Sequence, residues 1–339
     1  MIAPLAKFID WSVFQICFAM LPQSVWREAA SERDLKMQQA VQFLNGPDFI
    51  PAESQPAQLD FGPDAPGERF RFPTPRPCEF AENNVVHGRL YRCAEAWQER
   101  PVIVLLHGGS DLPGNQFIFH VFARRCQRAG FNAATLELPY HFQRRPRQYG
   151  PVSLICQYHP LISRDYLQMA KTWAQAVAEI RSLSGWLLAE GCPAVALVGA
   201  SLGAYLAGLT VCRDARLASI VMILPAARLG LLLSQAERVG RRRVREAILR
   251  RRAACEALDR TPLNLTSARP AISKENVLLI EGMYDLMVSN APIELWQSWG
   301  QPEIWRLPHG HISAAFMPGL SGRILRWLSP RLCVVSMDL

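Results

Sequence analysis

The five residues Gly199-Ala200-Ser201-Leu202-Gly203 form the pattern G-x-S-x-G, with the apolar run AVALV before them and the apolar stretch AYLAGLTVC after. A serine on a sharp turn from strand to helix stands exposed as a nucleophile. The positions beside it then need residues without bulk, and the helix start behind it faces developing negative charge. The bare pattern also suits an ordinary tight turn, so its placement between a strand and a helix is what makes it informative. Downstream come a carboxylate and two imidazoles. After the run NVLLIEG stands Met283-Tyr284-Asp285, and after EIWRLP stands His309-Gly310-His311-Ile312-Ser313. A carboxylate there would accept the histidine Nδ1–H and fix the tautomer whose other nitrogen takes the serine proton. Glu281, inside its strand run, ranks behind Asp285, for which a helix cap or turn role is the plain alternative. His311 is favoured over His309 because Gly310 before it and a helix after it let the ring reach back over the sheet edge. Upstream, another apolar run ends in His107-Gly108-Gly109-Ser110. His107 precedes the serine by almost a hundred residues and reads as a structural histidine bonded to backbone beneath the loop.

These residues need a scaffold that brings strand ends together. Apolar runs of four to eight residues recur at 102–107, 131–138, 194–200, 218–224, 276–282 and 303–308, each followed by a turn signal and most by a helical stretch. Continuous β-rich runs suit strands buried on both faces, and their alternation with helices marks βαβ units with right-handed crossovers. Every candidate lies at the C-terminal end of a run, where open α/β sheets carry their sites. About 50 residues separate Leu224 from Asn276, enough for an inserted helical lid over about 228–272. Residues 1 to about 46 read as two helices, the second opening at Ser24. The Pro-, Gly- and Asp-rich stretch 45–77 reads as a surface linker that ends in short strands around FRFP and VVHGRLYRC. The chain thus divides into an N-terminal helical extension with first strands (1–95) and an α/β core (96–339).

With 339 residues, half of them hydrophobic and 19% charged, the chain can bury a large core, which excludes a disordered or low-complexity protein. Its nine cysteines contain no CxxC pair and no histidine at metal-ligand spacing, so neither a disulfide framework nor a metal site is expected. Free thiols of this kind fit a cytoplasmic location. The stretch Trp11–Leu21 after Lys7 has some character of a secretion signal, but Asp10 adjoins it and no small-x-small site follows, so an amphipathic helix is expected. No run approaches the roughly 18 apolar residues of a membrane span.

With HGGS, GASLG, GMYD and HGHIS in this order, residues 101 to about 328 resemble the α/β-hydrolase superfamily. The N-terminal region and LPYHFQRRP resemble its abhydrolase-domain branch. The resemblance implies an α/β-hydrolase fold, a mostly parallel sheet with helices on both faces. It further implies Ser201 as nucleophile, Asp285 as acid and His311 as base, with oxyanion donors at Leu202 N–H and Gly109 N–H, Ser110 close behind. The implied activity is that of a serine hydrolase, foremost a carboxylesterase acting on a small-molecule ester, without cofactor. Lipase, thioesterase and amidase or peptidase chemistry would use the same residues, and a non-catalytic scaffold is the alternative from another class.

Glu137 and His141, leaving the sheet at the same edge, are candidate substrate contacts, with a Glu137–Arg pair pinning the loop as the plain alternative. His309 is a candidate neighbour of the pocket. The formal charge of +8 concentrates at residues 238–252, where eight Arg face the single acid Glu246, a local +7. One amphipathic lid helix with Val244, Ala247 and Ile248 inward is expected there, its basic side either solvated or touching anionic substrates or lipid headgroups. No stacking aromatics or nucleic-acid module accompany it, so a nucleic-acid partner is not expected. The oligomeric state is left open.

Overall fold

The computed structural model describes residues 3–19, 30–62, 68–110, 113–147, 165–240, 242–249, 252–314 and 316–332. Nine strands form one sheet: β1 (Asp60–Phe61), β2 (Glu68–Pro73), β3 (Val85–Tyr91), β4 (Val102–Leu106), β5 (Asn132–Leu136), β6 (Val195–Ala200), β7 (Ser219–Ile223), β8 (Val277–Gly282) and β9 (Glu303–Leu307). Their order is β1-β2-β3-β5-β4-β6-β7-β8-β9. From β5 onward across the sheet every pairing is parallel, and β1 to β3 extend it by antiparallel pairing through β3 and β5. The six core runs all become strands. The runs at 102–107, 194–200 and 276–282 yield strands buried along nearly their whole length, as two covered faces demand. The run EIWRLP departs from this because it forms the edge strand β9, where Ile304 and Trp305 are only half-buried.

The helices are α1 (Ala3–Ala19), α2 (Ala30–Asn45), α3 (Pro113–Arg128), α4 (Tyr166–Ala189), α5 (Leu202–Val211), α6 (Leu229–Val239), α7 (Arg242–Leu249), α8 (Arg252–Leu258), α9 (Ala291–Ser298), α10 (His311–Ala314) and α11 (Leu320–Leu332). Helices lie on both sides of the sheet, with α3 against α11 and α4 against α5. Helix α4 starts where the Asp165 carboxylate accepts the Gln168 N–H. Its interior holds Glu179, fully buried against the equally buried Arg144.

Two expectations about helices change. In α1 the inward face carries Ala6, Asp10 and Phe14, whereas Leu5, Phe8 and Trp11 are exposed. The helix therefore buries its one acid beside Ala6 and Phe14 and turns Phe8 and Trp11 outward, unlike an ordinary amphipathic surface helix. The basic segment is not one helix throughout, because α6 ends at Val239 and Gly240 is non-helical ahead of α7. Glycine is a poor helix former, which fits the break at Gly240. Arg242 pairs with Glu246, and Arg252 with Glu237 of α6. The expected inward face of Val244, Ala247 and Ile248, the arginines at 241, 250 and 251, and the opening of the second helix at Ser24 lie outside the described residues and side chains.

Candidate active site

Ser201 sits at the turn from β6 into α5 with φ of 51°, a left-handed value that costs a non-glycine residue energy. Its N–H donates to the Ile223 carbonyl at 2.8 Å, which anchors the turn to β7. The glycines on either side are needed for space. A Cβ on Gly199 would collide with the Gly203 carbonyl, and one on Gly203 with the Leu106 carbonyl, because helix and strand approach too closely here for a side chain.

Ser201 Oγ lies 2.9 Å from His311 Nε2, and His311 Nδ1 lies 2.7 Å from Asp285 Oδ2. His311 starts α10 beyond β9, and Asp285 follows β8, so three strand ends converge at one edge of the sheet. The other oxygen of Asp285 accepts the N–H groups of Met287 and Val288 at 2.6 and 2.9 Å, which fixes the carboxylate's orientation. Burial alone would lower the His311 pKa, but the charge and hydrogen bond of Asp285, joined by the charge of Asp10, raise it above the ordinary histidine value. When the ring is neutral, this geometry suits Nδ1–H on the carboxylate and leaves Nε2 to accept the serine hydroxyl proton.

The loop after β4 flanks the serine. A Cβ placed on Gly109 would lie 3.3 Å from Leu202 Cδ2, and one on Gly108 would lie 3.7 Å from Ser201 Cβ, so the loop runs directly alongside the serine turn. Asn115 of α3 holds it by donating to the Gly108 and Ser110 carbonyls, both at 2.9 Å. Leu202, as the first residue of α5, has an N–H without a partner inside the helix.

His107 is buried beneath the loop. Its Nε2 accepts the Leu138 N–H at 3.0 Å and its Nδ1 donates to the Gly108 carbonyl at 2.7 Å, both ring nitrogens thus being taken by backbone. Burial first, then the neighbouring His141, pushes its pKa down to about 3, and it remains neutral.

Glu137 and His141 serve the loop that carries them. Glu137 accepts from Gln116 Nε2 at 3.0 Å and from the backbone and side chain of Gln143 at 3.2 and 3.0 Å. The alternative Glu137–Arg side-chain pair is not formed among the described residues, because Arg144 turns inward to the Glu137 carbonyl and to Glu179. His141 is buried, with Nδ1 on the Pro139 carbonyl and its ring edge-on to His107. His309 is partly exposed, its N–H donating to Leu307 and its carbonyl accepting from Tyr284. Its ring makes no bond to Ser201, the place His311 occupies. Glu281 pairs across strands with Arg306 at 2.5 Å and is thereby occupied.

One site residue was not anticipated. Asp10 of α1 is fully buried and accepts backbone N–H groups from Leu286 (3.2 Å), His311 (2.7 Å) and Ile312 (3.0 Å). Its signal in the sequence was a lone acid inside an apolar stretch, since a buried carboxylate demands partners.

Parallel strands with this order, a strand-to-helix serine turn and helices on both faces define the α/β-hydrolase fold. The family model described as alpha/beta hydrolase domain containing 18 matches residues 77–230, a little under half of the chain. An uncharacterized protein of Mycobacterium tuberculosis, found in strains CDC 1551 and H37Rv, is 28% identical over 254 residues. That match takes in 70% of this chain but 57% of the relative, so the chain spans little more than half the relative's length. Among solved structures, acetyl xylan esterase 1 from Thermoanaerobacterium superimposes with a TM-score of 0.57 at 13% identity, covering 88% of this chain and 92% of the esterase. The acetyl xylan esterase of Paenibacillus sp. R4 gives 0.52 at 14%, covering 92% and 100%. An esterase of Pyrococcus furiosus gives 0.50 at 13%, covering 81% and 92%. At these identities the likeness is one of fold.

Proposed function

We propose that this protein is a serine hydrolase, and foremost a carboxylesterase. The observation that carries the reading is the unbroken chain of hydrogen bonds from Ser201 through His311 to Asp285. Ser201 Oγ attacks the ester carbonyl carbon while His311 Nε2 takes its proton. The oxyanion that forms is met by the N–H groups of Leu202 and Gly109. Collapse breaks the bond to the alcohol, which leaves with the proton from His311, and the acyl group stays on Ser201. Water, deprotonated by His311, then attacks the acyl-enzyme and releases the acid. Asp285 holds the ring and stabilises the imidazolium in both halves. Three solved structures of the same fold bear the name esterase, which supports the ester as the bond cleaved.

A fluorophosphonate probe tests this directly. Wild type should label and turn over p-nitrophenyl acetate, while Ser201→Ala should do neither. A folded wild type that takes up no probe would overturn the reading. On a panel of acyl chain lengths, the preference separates a short-chain esterase from a lipase, and parallel thioester and anilide substrates address the remaining bonds.

A further inference from the structure

We propose that Asp10 of α1 is a positioning residue for the His311–Asp285 pair, its buried carboxylate clamping together the loop that bears the acid and the loop that bears the base. The inference rests on the serine-hydrolase reading and adds the first helix to its site. Asp285 and His311 follow different strands, and catalysis needs His311 to meet Ser201 and Asp285 at once. Up to Tyr284 the two loops are tied by backbone, with Met283 N–H on Leu307 and Tyr284 N–H on His309. Past that point Asp10 takes over. Its Oδ2 accepts from Leu286 on the acid loop and His311 on the base loop, and its Oδ1 accepts from Ile312.

The approach is close enough to dictate a neighbouring residue. A Cβ on Gly310 would lie 2.6 Å from Asp10 Oδ2, so glycine is needed before His311 for the carboxylate to reach the backbone. Helix α1 packs on α10, which brings Asp10 to this place. Charge adds to geometry. The charged groups that face His311 are Asp285 from beyond β8 and Asp10 from α1, and both favour the imidazolium formed when the ring takes the serine proton. Burial raises the Asp10 pKa, while the N–H groups of Ile312 and His311 act the other way.

The test uses the full chain as wild type, Asp10→Ala, Asp10→Asn, Gly310→Ala and Ser201→Ala, with near-UV circular dichroism as the check on folding. Turnover of p-nitrophenyl acetate and the NMR titration of the ¹⁵N-labelled His311 ring are read on each. Asp10→Ala should lower kcat about ten- to a hundredfold with KM little changed, since a misplaced base costs rate more than binding. Loss of the negative charge should also move the His311 titration, and the acid limb of kcat/KM, to lower pH, which a purely structural role would leave in place. Asp10→Asn keeps an acceptor oxygen without the charge. It should show the same displacement with a smaller loss of kcat, and it carries the test if Asp10→Ala does not fold. Gly310→Ala should impair the wild-type background and be harmless beside Asp10→Ala.

Folded Asp10 variants with wild-type kcat and an unmoved His311 titration would overturn the proposal. Failure of the hydrolase reading looks different, because wild type then takes up no fluorophosphonate. In that case a displaced His311 titration in the variants still supports the clamp, and an unmoved one still overturns it.

Discussion

At the scale of single residues, the ionisation of His311 sets the sharpest expectation. The group must be neutral to take the serine proton, and its pKa is raised above 6.5 because Asp285 and Asp10 outweigh burial. The rate should therefore rise with pH through an apparent pKa above 6.5, and the kcat/KM profile on a neutral ester measures it. His311→Ala should abolish turnover, whereas His309→Ala should leave a near-normal rate, since only the former ring reaches Ser201. Gly203→Ala should collapse activity and stability together, because the added methyl meets the Leu106 carbonyl, which is strand backbone and cannot yield as a flexible side chain would. Thermal unfolding beside a labelling assay checks both. Ser201, Asp285 and His311 were legible because backbone strain and strand ends restrict which residue types can stand there. Asp10 was not, since its partners lie 276 to 302 positions away in the chain and are backbone groups, which leave no mark on residue type.

Elements carry a different kind of determinant. The loop after β5 looked like a pocket wall, yet its polar residues mostly face inward. Arg144 is completely buried, donating to the carbonyls of Asn83 and Glu137 and to both oxygens of Glu179, while Thr74 and Gln175 donate to the same carboxylate. This network joins α4 to the loop and to the segment before β3. Removing one partner strands a buried charge, so Glu179→Ala should cost about 3–5 kcal/mol in chemical denaturation. A methionine at 144 together with a leucine at 179 should recover much of that loss, as apolar replacement of a whole buried pair commonly does. The network was missed because its members are scattered from Thr74 to Glu179, and neither helical nor strand periodicity links them. Strands were read well for the opposite reason. Burial on both faces forces a continuous apolar run, a local signal that survives without knowledge of the neighbours.

For the molecule as a whole, the excess positive charge belongs mainly to the helical insertion between β7 and β8. The insertion leaves the sheet at the C-terminal end of β7, the edge on which Ser201 stands, and Arg238, Arg242 and Arg245 are exposed there. A field from this segment steers anions over a Debye length and no further. Replacing these three arginines by glutamine should raise KM for a carboxylate-bearing ester a few-fold at low salt, leave a neutral ester unaffected, and lose its effect at about 1 M salt, where the Debye length is near 3 Å. Kinetics on the two esters at both salt concentrations check this. Partial neutralisation within the insertion, by the Arg242–Glu246 and Arg252–Glu237 pairs, keeps the expected effect small.

What the amino-acid order determined by itself was the succession of strands and helices, the serine turn with its two glycines, and the carboxylate and imidazole waiting at later strand ends. These follow from local rules: an apolar run for a doubly covered strand, the absence of a side chain where helix meets strand, and chain order along a right-handed α/β sheet. The tertiary structure alone decided which histidine reaches the serine, that Glu281 is spent on Arg306, that Glu137 and His141 brace their own loop, and that the first helix buries an acid against the loop that bears His311. Apart from the short-range contacts of Glu137 and His141, these are pairings between residues far apart in the chain. Hydrogen bonds and charges choose partners by distance in space, and sequence patterns carry that distance only where neighbours along the chain are also neighbours in the fold.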